Sequence, residues 1–353
     1  MNPIISNQSL PLEQMVGQMI LAGFRGKTVS ENSEITQWID SYNIGGVILY
    51  DMEMTQKPPG KRNIDSPDQL RKLTQNLQSF SRTPMFIAID QEGGNCARLT
   101  SEYGFSHFSS WKEIGELNDF EKTRSFSYLV ADTLHQGGIN LNLAPVLDIQ
   151  NSSDSMIGGE GRCISGNYNE VIDQSRIFIE EHRKKQIGTV GKHFPGQGSA
   201  VQDAHNEMTD ISDTWDESEL IPYSKLIQSN DLNAIMMGHV FIQSLDKDYP
   251  ASLSTKIISN LLRKKMGFNG VVICDDPVMK AISDHYSWDE IFELMINAGV
   301  DLICLGNNLE PYRENLIIDS IKSIVSQVQN GKIPMVRIKE SFHRILNLKS
   351  NLF

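Results

Sequence analysis

The sequence has neither long basic blocks nor long apolar runs, the features that mark many nucleic-acid-binding proteins and membrane proteins. Its 353 residues include 32 Lys and Arg against 44 Asp and Glu, a net charge of −12, and no basic block is long enough to follow a phosphate backbone. No run approaches the roughly 18 apolar residues that a membrane span requires. We therefore expect neither a nucleic-acid partner nor a membrane-embedded fold.

Cysteine is scarce and scattered. The four cysteines stand singly, without the paired spacing of a zinc site or the density of a disulfide framework. They are Cys96, Cys163, Cys274 and Cys304. The first residues also lack the basic and apolar regions of a secretory signal. We expect free thiols in an unexported, cytoplasmic protein.

Cofactor and domain signals are missing as well. We find no Gly-x-Gly-x-x-Gly fingerprint and no P-loop, since Gly93 and Gly94 follow a strand but lack the third glycine. No internal repeat, low-complexity tract or linker divides the chain. The expectation is one domain over residues 1–353 without a cofactor, because α/β barrels of this length are routinely single domains.

Short apolar runs alternate with amphipathic segments along the whole chain, as in a parallel sheet covered by helices. Eight runs are predicted strands: 19–24, 46–50, 85–90, 139–149, 189–194, 234–240, 271–275 and 301–305. Eight strands alternating with helices predict an α/β fold, a single (β/α)₈ TIM barrel. A doubly wound open sheet competes with it, and periodicity alone does not exclude that fold.

The helical signals are clear between the strands. Ser66 and Gln69 form a predicted capping box with Pro67 at the first helical position, and Leu70 and Leu73 begin an apolar face. Further helices are predicted over 111–136, 169–185, 216–229, 255–265, 287–298, 313–329 and 336–348. The polar segment 51–65 is predicted as a long loop after the second strand rather than a domain boundary.

Active-site groups of a barrel lie at the carboxyl ends of its strands, so strands that end in charged residues are informative. The third predicted strand ends at Asp90, the fifth at Lys192 and His193, and the seventh at Asp275 and Asp276. The sixth ends at His239, which is more often a hydrogen-bonded core residue, and we leave it out of the candidate set.

Each candidate also has an ordinary structural interpretation. Asp275 is either a nucleophile or base, or a cap for the following helix, and one of Asp275 and Asp276 can cap while the other faces a substrate. Lys192, Arg98 and Arg162 can be surface charges. Lys192 fits that description least, because it closes an apolar strand and offers three donors to a sugar hydroxyl or a carboxylate.

Asp203 and His205 follow the fifth strand in an Asp-x-His triplet. Most such triplets lie in solvated loops, but a carboxylate beside an imidazole fixes its tautomer and suits a proton donor and acceptor near neutral pH. Metal binding is the other functional interpretation. We find no His-Glu-x-x-His and no second ligand group at a diagnostic spacing, and we predict no metal.

Three motifs in this order resemble family 3 glycoside hydrolases. They are Ala-Ile-Asp-Gln-Glu-Gly-Gly from Ala88, Lys-His-Phe-Pro-Gly-Gln-Gly from Lys192, and Gly-Val-Val-Ile-Cys-Asp-Asp-Pro-Val-Met from Gly270. The Asp-x-His triplet is similar to that of the β-N-acetylglucosaminidase branch, which includes bacterial enzymes of cell-wall recycling. The resemblance covers about residues 12–348.

The resemblance implies a monomeric TIM barrel that hydrolyses terminal β-linked N-acetylglucosamine with retention, acting on carbohydrate alone. Asp275 matches the nucleophile, and His205 polarised by Asp203 matches the acid/base dyad. Five positions match sugar-binding residues: Asp90, Arg98, Arg162, Lys192 and His193. A loop over 196–206, rich in small residues, is predicted to be mobile and to carry the dyad.

Three departures limit the transfer of family roles. Gln197 stands where histidine is common, Asn95 stands where arginine is frequent, and the segment 158–163 is longer than the family pattern around Arg162. Two alternatives to hydrolysis stay open. One is a β-N-acetylglucosaminide phosphorylase, since a histidine acid/base repels phosphate less than a carboxylate does. The other is a non-catalytic sugar-binding barrel.

Overall fold

The structure is a computed structural model that describes residues 10–151, 155–201 and 208–352. Eight parallel strands of this part of the chain close into a barrel. In chain order they are Ile20–Gly23, Gly46–Leu49, Phe86–Ile89, Leu141–Asn142, Gly188–Phe194, Ala234–Met237, Val271–Cys274 and Leu302–Leu305. The eighth strand pairs with the first, with Ile20 opposite Ile303. The predicted TIM barrel is confirmed, and this closure excludes the open sheet.

The fourth strand is much shorter than its apolar run predicts. Ladder pairing covers only Leu141–Asn142 of the predicted 139–149, and a single bridge then joins Val146 to Lys192. Pro145 lies between these contacts, and it has no N–H to donate to a neighbouring strand. The chain beyond it stays buried through Asp148 and Ile149.

Helices surround the barrel. Those of the described chain are Leu12–Gln18, Glu34–Tyr42, Pro67–Phe80, Trp111–Leu117, Phe120–Gln136, Met156–Gly159, Tyr168–Lys184, Leu220–Gln228, Lys280–Ser283, Trp288–Ala298, Leu316–Gln329 and Met335–Ser350, with a π-helix at Lys256–Lys265. Most predicted helices are found within a few residues of their expected ends. Four helices were not predicted: Leu12–Gln18, Glu34–Tyr42, Met156–Gly159 and Lys280–Ser283. Within the described chain no helix combines the length and apolarity needed to cross a membrane.

The single helix predicted over 111–136 is wrong in one respect, since the structure has two helices there. Asn118 adopts a left-handed conformation with φ 45°, which ends the helix Trp111–Leu117. Asp119 then accepts hydrogen bonds from the backbone N–H groups of Glu121 and Lys122 and begins the helix Phe120–Gln136. The break follows from a turn-forming Asn-Asp pair inside a continuous apolar pattern.

The predicted capping box at Ser66 is half correct. The Ser66 side chain accepts a hydrogen bond from the Gln69 N–H at 3.3 Å. The Gln69 side chain does not return to Ser66; it accepts from the Asp65 N–H at 2.8 Å and donates to the Asn63 and Lys27 carbonyls. Gln69 therefore ties the preceding loop to the helix.

A charged cluster fixes the amino end of the eighth strand. The fully buried carboxylate of Asp301 meets three guanidiniums, Arg263 at 2.5 Å, Arg337 at 2.8 Å and Arg344 at 3.1 Å. Burial alone would raise the pKa of Asp301, but the three cations hold it below its usual value. The cluster joins the π-helix and the last helix to the barrel.

The amino-terminal and carboxyl-terminal helices meet through a buried lysine. Lys349 is 2% exposed, and its Nζ donates to Gln18 Oε1 at 2.8 Å. Burial lowers the pKa of Lys349 to about 7. Its hydrogen-bond partner is neutral, so the fold favours the uncharged amine at this position.

Candidate active site

One cavity opens at the carboxyl ends of the barrel strands. Its wall contains six of the eight predicted site residues: Asp90, Arg98, Arg162, Lys192, His193 and Asp275. Apolar side chains from the second, fourth and sixth strand regions complete the wall, among them Ile48, Leu143 and Met236. The other two predicted residues, Asp203 and His205, lie outside the described residues.

Lys192 is the centre of a buried ion network. Its ammonium lies 2.8 Å from Asp90 Oδ1 and 2.6 Å from Glu92 Oε1, and its side chain is 2% exposed. Glu92 also receives a two-pronged contact from Arg162, in which Nε and Nη2 each donate at 2.8 Å. Burial opposes ionisation of Glu92, yet these two cations hold its pKa well below the usual range. The two cations therefore favour the ionised form of Glu92.

His193 is oriented by a carboxylate from the fourth-strand segment. Its Nδ1 lies 2.7 Å from Asp148 Oδ2, and Asp148 also accepts from the backbone N–H groups of His193 and Gln197. Arg162 Nη2 lies 3.5 Å from the other ring nitrogen. Because a guanidinium only donates, this geometry favours the imidazole tautomer with its proton on Nδ1.

Arg98 extends into the cavity from a small hairpin formed by Gln91–Gly93 and Cys96–Ala97. Gln91 Oε1 accepts the backbone N–H of Arg98 at 3.0 Å and fixes the hairpin end. The guanidinium lies 3.8 Å from Asp90 and 3.9 Å from Asp51. Its buried Nε meets no hydrogen-bond partner among the described residues. Arg98 therefore retains a donor within a charged wall.

The structure separates the two interpretations of the paired aspartates. Asp276 is buried and accepts backbone N–H groups from Val278 at 3.1 Å and Gly306 at 2.9 Å, so it holds the backbone together. Burial raises its pKa to about 7, and the Asp275 charge adds to that rise. Asp275 lines the cavity and receives the Asp276 N–H at 2.8 Å on Oδ1.

The loop that follows the second strand packs against strand ends at the mouth of the barrel. The predicted loop 51–65 contains the hairpin of Met52–Glu53 and Gly60–Lys61, and the buried Arg62 anchors it. The guanidinium of Arg62 donates to Glu53 at 3.0 Å, to the Phe24 carbonyl at 3.0 Å and to Asn308 at 2.9 Å. The loop is thereby fixed against the ends of the first and eighth strands.

The contacts of Cys96 and His239 bear on two of the predictions, the absence of a metal and the assignment of a core histidine. Cys96 lies with Asp90 and Glu92 so that their donor atoms are within 4.8 Å of one another, a possible cation site. The Lys192 ammonium already contacts both carboxylates, and the absence of a metal stays a prediction. His239 is buried and contacts Ser252 Oγ at 2.8 Å, as expected of a core histidine.

Three residues that shape the site were not among the predicted ones. Glu92 lies two positions after Asp90 in the same motif. Its partners Lys192 and Arg162 are far away in the sequence, so residue spacing could not assign them to it. Asp148 lies near the end of the apolar run 139–149, which was predicted as one strand. Had that strand been predicted to end earlier, the rule that active-site groups follow the strand ends would have found Asp148. Glu219, whose buried side chain accepts the Ile149 N–H at 3.2 Å, directly precedes the helix Leu220–Gln228, where an acid has an ordinary electrostatic explanation.

A barrel that gathers carboxylates and fixed hydrogen-bonding groups at its strand ends suits hydrolysis of a glycosidic bond. The family described as "Glycosyl hydrolase family 3 N terminal domain" matches residues 11–348. The chain therefore belongs to glycosyl hydrolase family 3 and is a glycoside hydrolase, as the motifs indicated.

Curated relatives and solved structures agree with this membership. The chain is 27% identical over 338 residues to a beta-hexosaminidase of Nitrosomonas eutropha, covering 93% of this chain and 91% of that protein. It is 32% identical over 270 residues to one of Tolumonas auensis, covering 75% and 76%. A family 3 beta-N-acetylglucosaminidase from Paenibacillus superposes with a TM-score of 0.87 and 30% identity, and a beta-N-acetylhexosaminidase from Beutenbergia cavernae with 0.85 and 25%. Both superpositions cover 98% of this chain. They cover 63% of the Paenibacillus protein and 100% of the Beutenbergia protein.

Proposed function

We propose that this chain is a retaining exo-β-N-acetylglucosaminidase. The observation that carries the proposal is that Asp275 shares one cavity with Asp90, Lys192 and His193, whose motifs the family resemblance assigns to the sugar. The curated relatives are named beta-hexosaminidases, and the Paenibacillus protein is a beta-N-acetylglucosaminidase. A single catalytic domain is part of the proposal.

The proposed chemistry has two steps. The Asp275 carboxylate attacks the anomeric carbon, the glycosidic C–O bond breaks, and the leaving oxygen takes a proton from His205, which Asp203 orients. Water then gives a proton to His205 and attacks the anomeric carbon, which releases Asp275. The configuration is retained because inversion occurs twice. A histidine donor replaces the acid carboxyl that most retaining enzymes use.

The ion network supplies the proposed sugar recognition. Asp90 offers carboxylate oxygens to hydroxyl donors, while Lys192 and Arg98 offer N–H donors to hydroxyl oxygens. Because Lys192 is held by two carboxylates and 2% exposed, its ammonium keeps one position before the sugar arrives. Preorganised polar groups of this kind reduce the ordering cost of binding. A terminal sugar is the substrate that fits this wall.

The proposed setting is the cytoplasmic recycling of peptidoglycan. The enzyme would remove N-acetylglucosamine from 1,6-anhydro-muropeptides as a monomer, without a metal or cofactor. This part rests on the resemblance of the Asp-x-His triplet to the cell-wall recycling branch. Turnover of an anhydro-muropeptide compared with chitobiose, measured as released N-acetylglucosamine, tests it.

The nucleophile is tested by substitution and trapping. Asp275→Ala is expected to lower kcat for an aryl β-N-acetylglucosaminide by at least ~10³-fold, because it removes the attacking group. The exposed Asp284→Ala serves as a matched control with unchanged turnover. A 5-fluoro glycosyl donor is expected to label Asp275, as read by peptide mapping. Full turnover in Asp275→Ala would contradict the proposal.

The acceptor of the second step requires its own assay. Hydrolysis predicts free N-acetylglucosamine at the same rate with and without inorganic phosphate. Formation of N-acetylglucosamine 1-phosphate would instead identify a phosphorylase. Sugar binding without turnover of any substrate would support the non-catalytic barrel.

A further inference from the structure

Glu219 is a fully buried carboxyl group beside the active-site cavity that the proposed mechanism does not use. It ends the short 3₁₀ turn Glu217–Glu219 and directly precedes the helix Leu220–Gln228. Its side chain turns inward instead of joining the helix terminus. Oε2 accepts the Ile149 N–H at 3.2 Å, and Oε1 accepts Asn151 Nδ2 at 2.7 Å. The Gly198 N–H also donates to it.

These contacts join two segments that leave neighbouring strands. Ile149 and Asn151 continue from the fourth strand, and Gly198 continues from the fifth. Asp148 lies on the first of these segments and contacts the second, because it accepts the Gln197 N–H at 3.0 Å and lies 2.7 Å from His193 Nδ1. The two carboxyl groups therefore fasten together the backbone on which His193 depends.

Two glycines of the Lys192 motif, Gly196 and Gly198, lie where the backbone packs closely against Glu219 and Ile149. A Cβ atom at Gly196 would lie 2.5 Å from both Cβ and Oε2 of Glu219. A Cβ atom at Gly198 would lie 1.7 Å from the Ile149 carbonyl oxygen. The backbone approaches Glu219 as closely as it does because neither position carries a side chain.

We propose that Glu219 is a positioning residue of the active site, which sets the place of His193 by holding the segments that Asp148 also contacts. The inference rests on the proposed function, in which His193 contacts the sugar.

The electrostatics of the position favour a neutral carboxyl group. Among the described residues, the titratable groups that interact with Glu219 include Asp148, Cys163, Asp216 and Tyr223, none of which is a cation. Burial raises the pKa of Glu219 to about 8, and the charge of Asp148 adds to that rise. Ionisation at alkaline pH would place a second buried anion beside Asp148 and weaken the arrangement.

The test compares Glu219→Gln, a neutral isostere, with Glu219→Leu, which removes both acceptors. Glu181→Leu is the matched control, because Glu181 is also buried but pairs with Arg124 and Lys184 among the outer helices. Three quantities are measured from pH 6 to 9.5: the Kd for N-acetylglucosamine by calorimetry, and the KM and kcat for an aryl glycoside. The melting temperature is recorded for every variant.

Glu219→Leu is expected to raise the Kd and KM by ~10-fold or more at pH 7, since a displacement near 1 Å can cost up to about 10²-fold. Glu219→Gln keeps one acceptor oxygen but turns an amide donor toward an N–H group that the other oxygen bound, so we expect it to raise the Kd at pH 7 by about threefold, less than Glu219→Leu does. It is also expected to lose the weakening of binding that we expect of the wild type above pH 8. Glu181→Leu is expected to melt earlier with an unchanged Kd.

A folded Glu219→Leu variant with wild-type Kd and KM overturns the inference. Should that variant not fold, Glu219→Gln decides. The inference is also overturned if Glu219→Gln shows the same alkaline change of Kd as the wild type, or if neither protein shows such a change. The Kd requires no turnover. A wild-type protein that binds the sugar but does not hydrolyse the glycoside would refute the proposed function and leave this test intact.

Discussion

Replacing Glu92 by glutamine removes the negative charge that Lys192 and Arg162 share. The substitution keeps the shape of the side chain but leaves the buried Lys192 with Asp90 as its remaining close carboxylate and the half-buried Arg162 with Glu160 at 3.7 Å. Breaking a buried ion pair by removing one partner typically costs about 3–5 kcal/mol. With an unfolding entropy of ~2.1 cal/mol/K per residue, 353 residues give about 0.7 kcal/mol per degree. The expected fall in Tm is therefore about 4–7 °C.

The assay is thermal unfolding by calorimetry, with KM for an aryl glycoside measured on the same samples. Glu180→Gln is the control, since Glu180 is half exposed and pairs with Arg124 and Lys184 at the surface, where such pairs contribute at most about 1 kcal/mol. A Tm of Glu92→Gln within 1 °C of the wild type would refute the reasoning.

The pH dependence gives a second check on Glu92. Its pKa is lower in the folded protein than the ordinary value of 4.5, so the unfolded chain binds more protons as the pH falls below that value. The stability that ionised Glu92 contributes is thus fully present above about pH 4.5 and is lost as the pH falls toward the lower folded value. The difference between wild type and Glu92→Gln should shrink in acid.

Two further predictions concern the barrel end opposite the cavity. Asp301→Asn should lower the free energy of unfolding by at least ~3 kcal/mol in urea titrations, because three guanidiniums lose their shared carboxylate; an unchanged midpoint would contradict it. Lys349→Met should raise stability at neutral pH. Its pKa is about 7 when folded and 10.5 otherwise, so the unfolded chain binds more protons between these values and wild-type stability rises with pH there. The methionine variant should lose that rise, and retention of the slope would contradict the assignment.

The barrel could be predicted because every strand is buried on both faces. Such strands are apolar throughout, and the first polar residue after each one marks the mouth of the barrel. Asp90 and Asp275 were found in this way, and Lys192 and His193 by the same rule at the fifth strand. The rule needs no knowledge of which strands are neighbours.

Contacts between segments could not be predicted by the same means. Asp148 meets His193 because the segment after the fourth strand runs beside the fifth strand, where Val146 is bridged to Lys192, and that register does not show in either sequence alone. Glu219 lies about twenty residues beyond the loop it holds. Its position before a helix has a sufficient local explanation, and only the burial of its side chain reveals the other role.

Local signals failed where two of them competed. The apolar pattern over 111–136 is continuous, but Asn118 and Asp119 favour a left-handed residue followed by a cap, and this turn chemistry decided the outcome. At Ser66 the capping serine acted as expected, while Gln69 bonded the loop instead of the cap. In both cases a side chain had more than one backbone partner within reach.

The charges of the cavity wall indicate what kind of ligand it accepts. Each cation is held by carboxylates: Arg98 by Asp51 and Asp90, Lys192 by Asp90 and Glu92, and Arg162 by Glu92. A wall of paired charges attracts anions weakly, because the opposite charges cancel at a distance, but it presents fixed donors and acceptors at contact range. Hydroxyl groups exploit such a surface, since each can donate to a carboxylate and accept from a cation. The pairing therefore favours a neutral sugar ring over an anion at this position.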